Sequence, residues 1–119
     1  MAKRHVYIES SGGRAAYAQV LKRITKDNVC PFCMPNFLKY HTRPIVRHGA
    51  HWLVTENMNP YRGSKRHILF VHKKHIKSPE KMSLAAWREL LGHVAWTNKK
   101  YKLTGSAFFM RMGDPRYTG

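Results

Sequence analysis

The only two cysteines of the chain, Cys30 and Cys33, stand in the run CPFC. Pro31 inside the run and Pro35 just after it exclude a helix interior or a central strand. The segment is therefore a turn on which two sulfurs converge. A disulfide across so short a gap closes too small a loop to stabilise a domain much. Metal binding, redox chemistry and a pair of reduced, buried thiols remain as readings. No helix long enough to lower a thiol pKa by its dipole is expected after CPFC, which places zinc ahead of redox chemistry. Zinc takes four ligands, usually thiolate or imidazole. Among the eight histidines, His41, His67, His72 and His75 are candidates by composition.

A chain of 119 residues supports one domain with a core. With 43% hydrophobic and 12% aromatic residues it is no disordered basic tail. The 22 Lys and Arg against 6 Asp and Glu give a net charge of +16, a field that attracts phosphate-bearing partners. No run approaches the roughly 18 apolar residues of a membrane span. The N-terminus, MAKRHVYIESSGG, lacks the apolar centre of a secretory signal. A cytoplasmic protein without a membrane partner is expected.

Residues 1–13 read as a basic lead-in ending in Ser10, Ser11, Gly12 and Gly13. From Arg14 to about Lys26, Tyr17, Val20, Leu21 and Ile24 recur at helical spacing. Pro44 to His48 and Ala50 to Glu56 predict two antiparallel strands divided by Gly49. After the loop NMNPYRGSK, the run HILFV from His67 to Val71 predicts a third strand, buried on both faces. Ser78, Pro79 and Glu80 carry the signals of a helix start. That helix reaches about Lys102, with Leu84, Trp87, Leu91 and Val94 as its apolar stripe and Gly105 ending it. Ala107 to Met110 then reads as a strand, followed by the turn-like GDPRYTG.

The six acids are scattered, so no carboxylate pair of the glycosidase kind is visible. Arg62 to Lys81 holds seven Lys or Arg, three His and one acid, and with Tyr61 beside it could grip phosphates or form a solvated face. Trp52 and Trp87 are expected in the core rather than stacked on bases.

CPFC at 30–33, NMNP at 57–60, RHILFVHKKHI at 66–76 and FFMRMGDPRYTG at 108–119 occur in the order of the histidine triad (HIT) superfamily of nucleotide-binding hydrolases and transferases, which the chain resembles from about residue 28 onward. The resemblance implies zinc held by Cys30, Cys33 and His75. It makes Asn57 the partner of the ribose hydroxyls, His67 a further nucleotide contact, and Arg111 a phosphate neighbour where many members have Asn or Gln. Family members attack the α-phosphate with the central histidine of an HxHxH motif, forming a nucleotidyl-histidine. That motif is expected about five residues after Gly119, so no catalytic residue and no fourth zinc ligand is expected within this chain, read as truncated before the triad.

The expected fold is α+β, an antiparallel sheet of about five strands with one long helix packed on it and an N-terminal helix. Residues 1–27 form the basic lead-in and helix, and residues 28–119 the HIT-like domain. The resemblance also implies a homodimer through the long helix, with Leu90 and Trp96 as interface or core residues. The expected function is binding of a purine nucleotide or dinucleotide, in a parent chain that is a nucleoside-phosphate hydrolase or nucleotidyl transferase. The alternatives are a non-catalytic, basic RNA-binding or ribosome-associated module on the same fold, and a zinc-stabilised domain whose partner is another protein.

Overall fold

The computed structural model describes residues 6–7 and 14–113. Most of the expected lead-in and the segment 114–119 lie outside the described residues. Among the described residues the elements run α1 (Ala15–Asp27), α2 (Asn36–Tyr40), β1 (Ile45–His48), β2 (Trp52–Glu56), β3 (Ile68–His72), a 3-10 turn (Pro79–Lys81) and α3 (Leu84–Lys100). The strands form one antiparallel sheet in the order β1-β2-β3.

Helix α1 matches its apolar spacing: Leu21 and Ile24 are buried, and Asn28 closes it in the left-handed region at φ 52°. Asp27 accepts hydrogen bonds from Tyr40 and Lys39, tying the end of α1 to α2. Phe37 of α2 packs with Leu53 and Val71, and Met34, Ile45 and Leu69 close around them.

The strand buried on both faces is β2, not β3. Trp52, Leu53, Val54 and Thr55 are all buried, whereas Val71 alone is buried in β3. The position in the sheet explains this. As the middle strand, β2 presents Leu53 to Phe37 on one face and Trp52 to α3 on the other, where the indole nitrogen donates to the Ala86 carbonyl at 2.8 Å. Strand β3 lies at the edge, so its apolar run exceeds its burial.

Among the described residues the sheet has three strands rather than about five. Ala107–Met110 forms no strand. Within the segment 107–113, Phe108 makes a ring contact with Phe70 and the Gly113 amide bonds the Lys77 carbonyl, contacts that make no ladder.

Helix α3 also differs from its expected form. Ser78 makes no side-chain cap, and Pro79 starts only the short turn. Ser83 caps the helix instead, its hydroxyl accepting from the Ala86 amide at 3.1 Å. At the other end Lys102, not Gly105, takes the left-handed conformation, at φ 51°. The Leu103 amide then bonds the Asn98 carbonyl at 3.0 Å, closing a Schellman-type end. The buried face is Ala86, Leu90, His93 and Thr97, while Leu84 is 83% and Leu91 70% exposed. Two of the four inward residues are polar, so apolar spacing points to the wrong side. Leu90 is core, and Trp96 is half-buried beneath the Arg47 guanidinium. No helix among the described residues is long and apolar enough to cross a membrane.

Candidate functional site

Two groups of polar side chains flank β3, one at each end. Past its C-terminal end, His75 meets the CPFC turn. The His75 Nδ1 lies 3.4 Å from Cys30 Sγ and 3.1 Å from Cys33 Sγ, although more than 40 residues separate them in sequence. All three ligand atoms lie within 4.8 Å of one another. A tetrahedral zinc site places such atoms about 3.5–3.8 Å apart, so the three are close enough to hold a metal ion.

The turn is held by its own backbone. The Cys33 amide bonds the Cys30 carbonyl at 3.4 Å, Asn36 Nδ2 bonds the same carbonyl at 3.1 Å, and the Phe37 amide bonds the Cys33 carbonyl at 3.0 Å as α2 begins. Burial pushes the Cys33 thiol up to about 11, with the neighbouring Cys30 adding to the shift. Redox-active cysteines show the opposite displacement.

Of the four histidines proposed by composition, the structure brings only His75 to the sulfurs. His41 Nε2 is 2.7 Å from Thr55 Oγ1, and the ring stacks on Phe37. His72 Nδ1 accepts from the Lys74 amide at 3.1 Å, and its ring meets Trp52 edge-on. No fourth Cys, His, Asp or Glu joins the cluster among the described residues.

Before the N-terminal end of β3, His67 and Asn57 meet in a cleft of about 220 Å³. The Asn57 amide donates to the His67 carbonyl at 2.8 Å, and Asn57 Nδ2 lies 3.4 Å from each ring nitrogen of His67. The Tyr61 amide donates to His67 Nδ1 at 3.1 Å, which leaves the ring proton of a neutral His67 on Nε2. Burial, assisted by the Arg14 charge, lowers the His67 pKa and favours that neutral form. Asn57 Oδ1 accepts the Asn59 amide at 2.9 Å and keeps a second lone pair.

The cleft wall is basic. Arg43, Lys65 and Arg66 line it together with Ser64. Glu56 bonds both Arg43 and Arg66, and these bonds hold its carboxyl below the usual range. Arg111 does not line the cleft but stands beside it, its guanidinium 5.8 Å from the centre of the Tyr61 ring, which in turn lies 4.7 Å from His67. Arg14 was invisible to motif reading. It comes from the edge of α1, bonds the Asn59 carbonyl and sits 4.9 Å from the Tyr61 ring centre. Nothing in its local sequence announces a partner 45 residues away. Glu56 had a readable signal, a lone acid between basic stretches.

No family model, no curated protein and no solved structure matches the chain.

Proposed function

We propose that this chain is a nucleotide-binding domain of the histidine triad kind, cross-linked by a zinc ion on Cys30, Cys33 and His75. The observation that carries the reading is the meeting of Asn57 and His67, two motif residues ten apart in sequence, in one basic cleft. A carboxamide with a remaining lone pair suits a ribose hydroxyl, and the Nε2 proton of His67 is a donor for an acceptor on the ligand. Arg43, Lys65 and Arg66 supply the positive wall that a phosphate requires.

Two thiols and an imidazole are the donor set zinc prefers. Bound there, the metal would serve as a structural cross-link between the CPFC turn and the segment after β3. The metal cluster and the cleft lie beyond opposite ends of β3, which gives the ion no direct part in holding a nucleotide. A hydrolase or nucleotidyl transferase of this kind would draw its histidine nucleophile from outside these residues.

The test is calorimetric titration of AMP into the zinc-loaded chain. Saturable binding is expected, weakened about tenfold by Asn57→Ala or His67→Ala through lost hydrogen bonds. Absence of AMP binding, or an affinity in both variants equal to the parent's, would overturn the reading.

A further inference from the structure

Resting on the nucleotide reading of the cleft, we propose that it takes the 3′-terminal nucleotide of an RNA strand, whose preceding phosphates run over the lysines at the end of α3, Lys99, Lys100 and Lys102. Packing delivers these lysines to the cleft. The first half of α3 is tied to the start of β2, where the Trp52 indole donates to the Ala86 carbonyl and the Trp52 amide to Glu89, each at 2.8 Å. At the other end of α3 the C-cap Tyr101 lies under the Arg66 guanidinium, 4.7 Å from the ring centre. Arg66 bonds Glu56, the last residue of β2, and lines the cleft. The helix therefore ends beside the cleft. Lys100 and Lys102 flank Tyr101 in the chain, and Lys99 belongs to the last turn.

Charge decides what such a surface takes. Lys65, Lys99, Lys100 and Lys102 are exposed and pair with no acid among the described residues. A helix C-terminus carries only about half a negative charge, so three lysines there exceed what the dipole calls for. Nearby acids do not cancel them: Glu56 is bonded by Arg43 and Arg66, and Glu89 is held at the start of β2. A terminal phosphate carries about two negative charges, which the cleft's Arg43, Lys65 and Arg66, less the charge of Glu56, already balance. The surplus beside the cleft is complementary to a run of further phosphates.

Ribose chemistry chooses the end of the strand. Asn57 is the partner for free ribose hydroxyls, and in a polynucleotide both hydroxyls are free only on the 3′-terminal nucleotide of RNA. There the chain leaves through the 5′-phosphate, the group that the basic wall receives.

The experiment is calorimetric titration of the zinc-loaded chain with AMP, an RNA of about 8 nucleotides ending in a 3′-hydroxyl, the same RNA ending in a 3′-phosphate, and a dinucleoside polyphosphate. The 3′-hydroxyl RNA is expected to bind about tenfold more tightly than AMP at low salt, and to lose that gain on 3′-phosphorylation. Joint replacement Lys99→Gln, Lys100→Gln and Lys102→Gln should leave AMP affinity and the melting temperature unchanged and return RNA to the affinity of AMP. The slope of log affinity against log salt should become shallower by about two, the share of three phosphate contacts to a single strand. Lys22→Gln, Lys26→Gln and Lys81→Gln, exposed positions on α1 and before α3, remove the same charge and should bind RNA as the parent does. Absence of AMP binding overturns the nucleotide reading and this one with it. With AMP bound normally, this proposal alone falls if RNA binds no tighter than AMP or if the 3′-phosphate makes no difference. It falls equally if both lysine triples weaken RNA alike, or if only the dinucleoside polyphosphate depends on the α3 lysines.

Discussion

Gly49 and Glu89 approach so closely that a methyl group on Gly49 would stand 2.1 Å from Glu89 Oε2 and 2.7 Å from His93 Nε2. Glu89 is not free to step aside. Its carboxylate accepts the His51 amide at 3.0 Å, the Trp52 amide at 2.8 Å and His93 Nε2 at 3.0 Å, anchoring α3 to the turn between β1 and β2. Gly49→Ala is therefore expected to break part of this network and destabilise the fold by about 1–3 kcal/mol, the cost of unpairing buried polar groups. Urea denaturation measures it, and a midpoint equal to the parent's would refute the anchoring role.

Acid should attack the same anchor. Burial of Glu89 opposes ionisation, but the His93 bond and the amides of His51 and Trp52 outweigh it and bring the carboxyl below its ordinary 4.5. A folded-state value below the unfolded one contributes stability that is complete above about pH 4.5 and is lost as pH falls through the lower, folded value. Glu89→Gln should be less stable than the parent at neutral pH, with the gap narrowing below pH 4.5. Melting temperatures of the two proteins across pH 3–7, a range chosen to bracket ordinary carboxylate values, give the comparison. A constant gap would show that the charge of Glu89 is not what matters.

Local chemistry made several elements legible in the sequence. The spacing of Leu21 and Ile24 gave α1, and the β-branched and aromatic runs gave all three strands to within about two residues. The CPFC turn was readable because thiols carry their ligand chemistry in the side chain itself, whereas ligand chemistry left His41, His67, His72 and His75 open and only the resemblance to the histidine triad superfamily pointed to His75. What failed depended on tertiary context. The arrival of Arg14 at the Asn59 carbonyl and on the Tyr61 ring is a long-range contact with no local signature. The segment 107–110 has strand composition but lacks a ladder of partners, and composition alone does not make a strand.

The two faces of α3 give the sharpest contrast between pattern and packing. Leu90 is 2% exposed and Leu91, its neighbour in sequence, is 70% exposed. Leu90→Ala is expected to cost about 2–5 kcal/mol, as buried leucine truncations do. Leu91→Gln should stay within about 0.5 kcal/mol of the parent. Chemical denaturation of both variants distinguishes them, and a Leu91→Gln loss as large as that of Leu90→Ala would return the inward face to the stripe of Leu84, Trp87, Leu91 and Val94.

Metal removal should loosen the junction between the CPFC turn and the segment after β3. Cys30 and Cys33 are only half-buried and His75 is exposed, so in the absence of metal the segment after β3 is joined to the CPFC turn by weak sulfur–imidazole contacts. A zinc ion that binds the folded chain and not the unfolded one adds about 2.7 kcal/mol when free zinc is a hundredfold above its dissociation constant. One zinc per chain is expected by metal analysis, with a melting temperature that falls on chelation and recovers on zinc addition. His75→Ala should lose both the metal and the chelator response. His72→Ala, whose ring faces Trp52 rather than the sulfurs, should keep both. A His75→Ala protein that still binds zinc and still responds to chelation would move the metal away from this cluster.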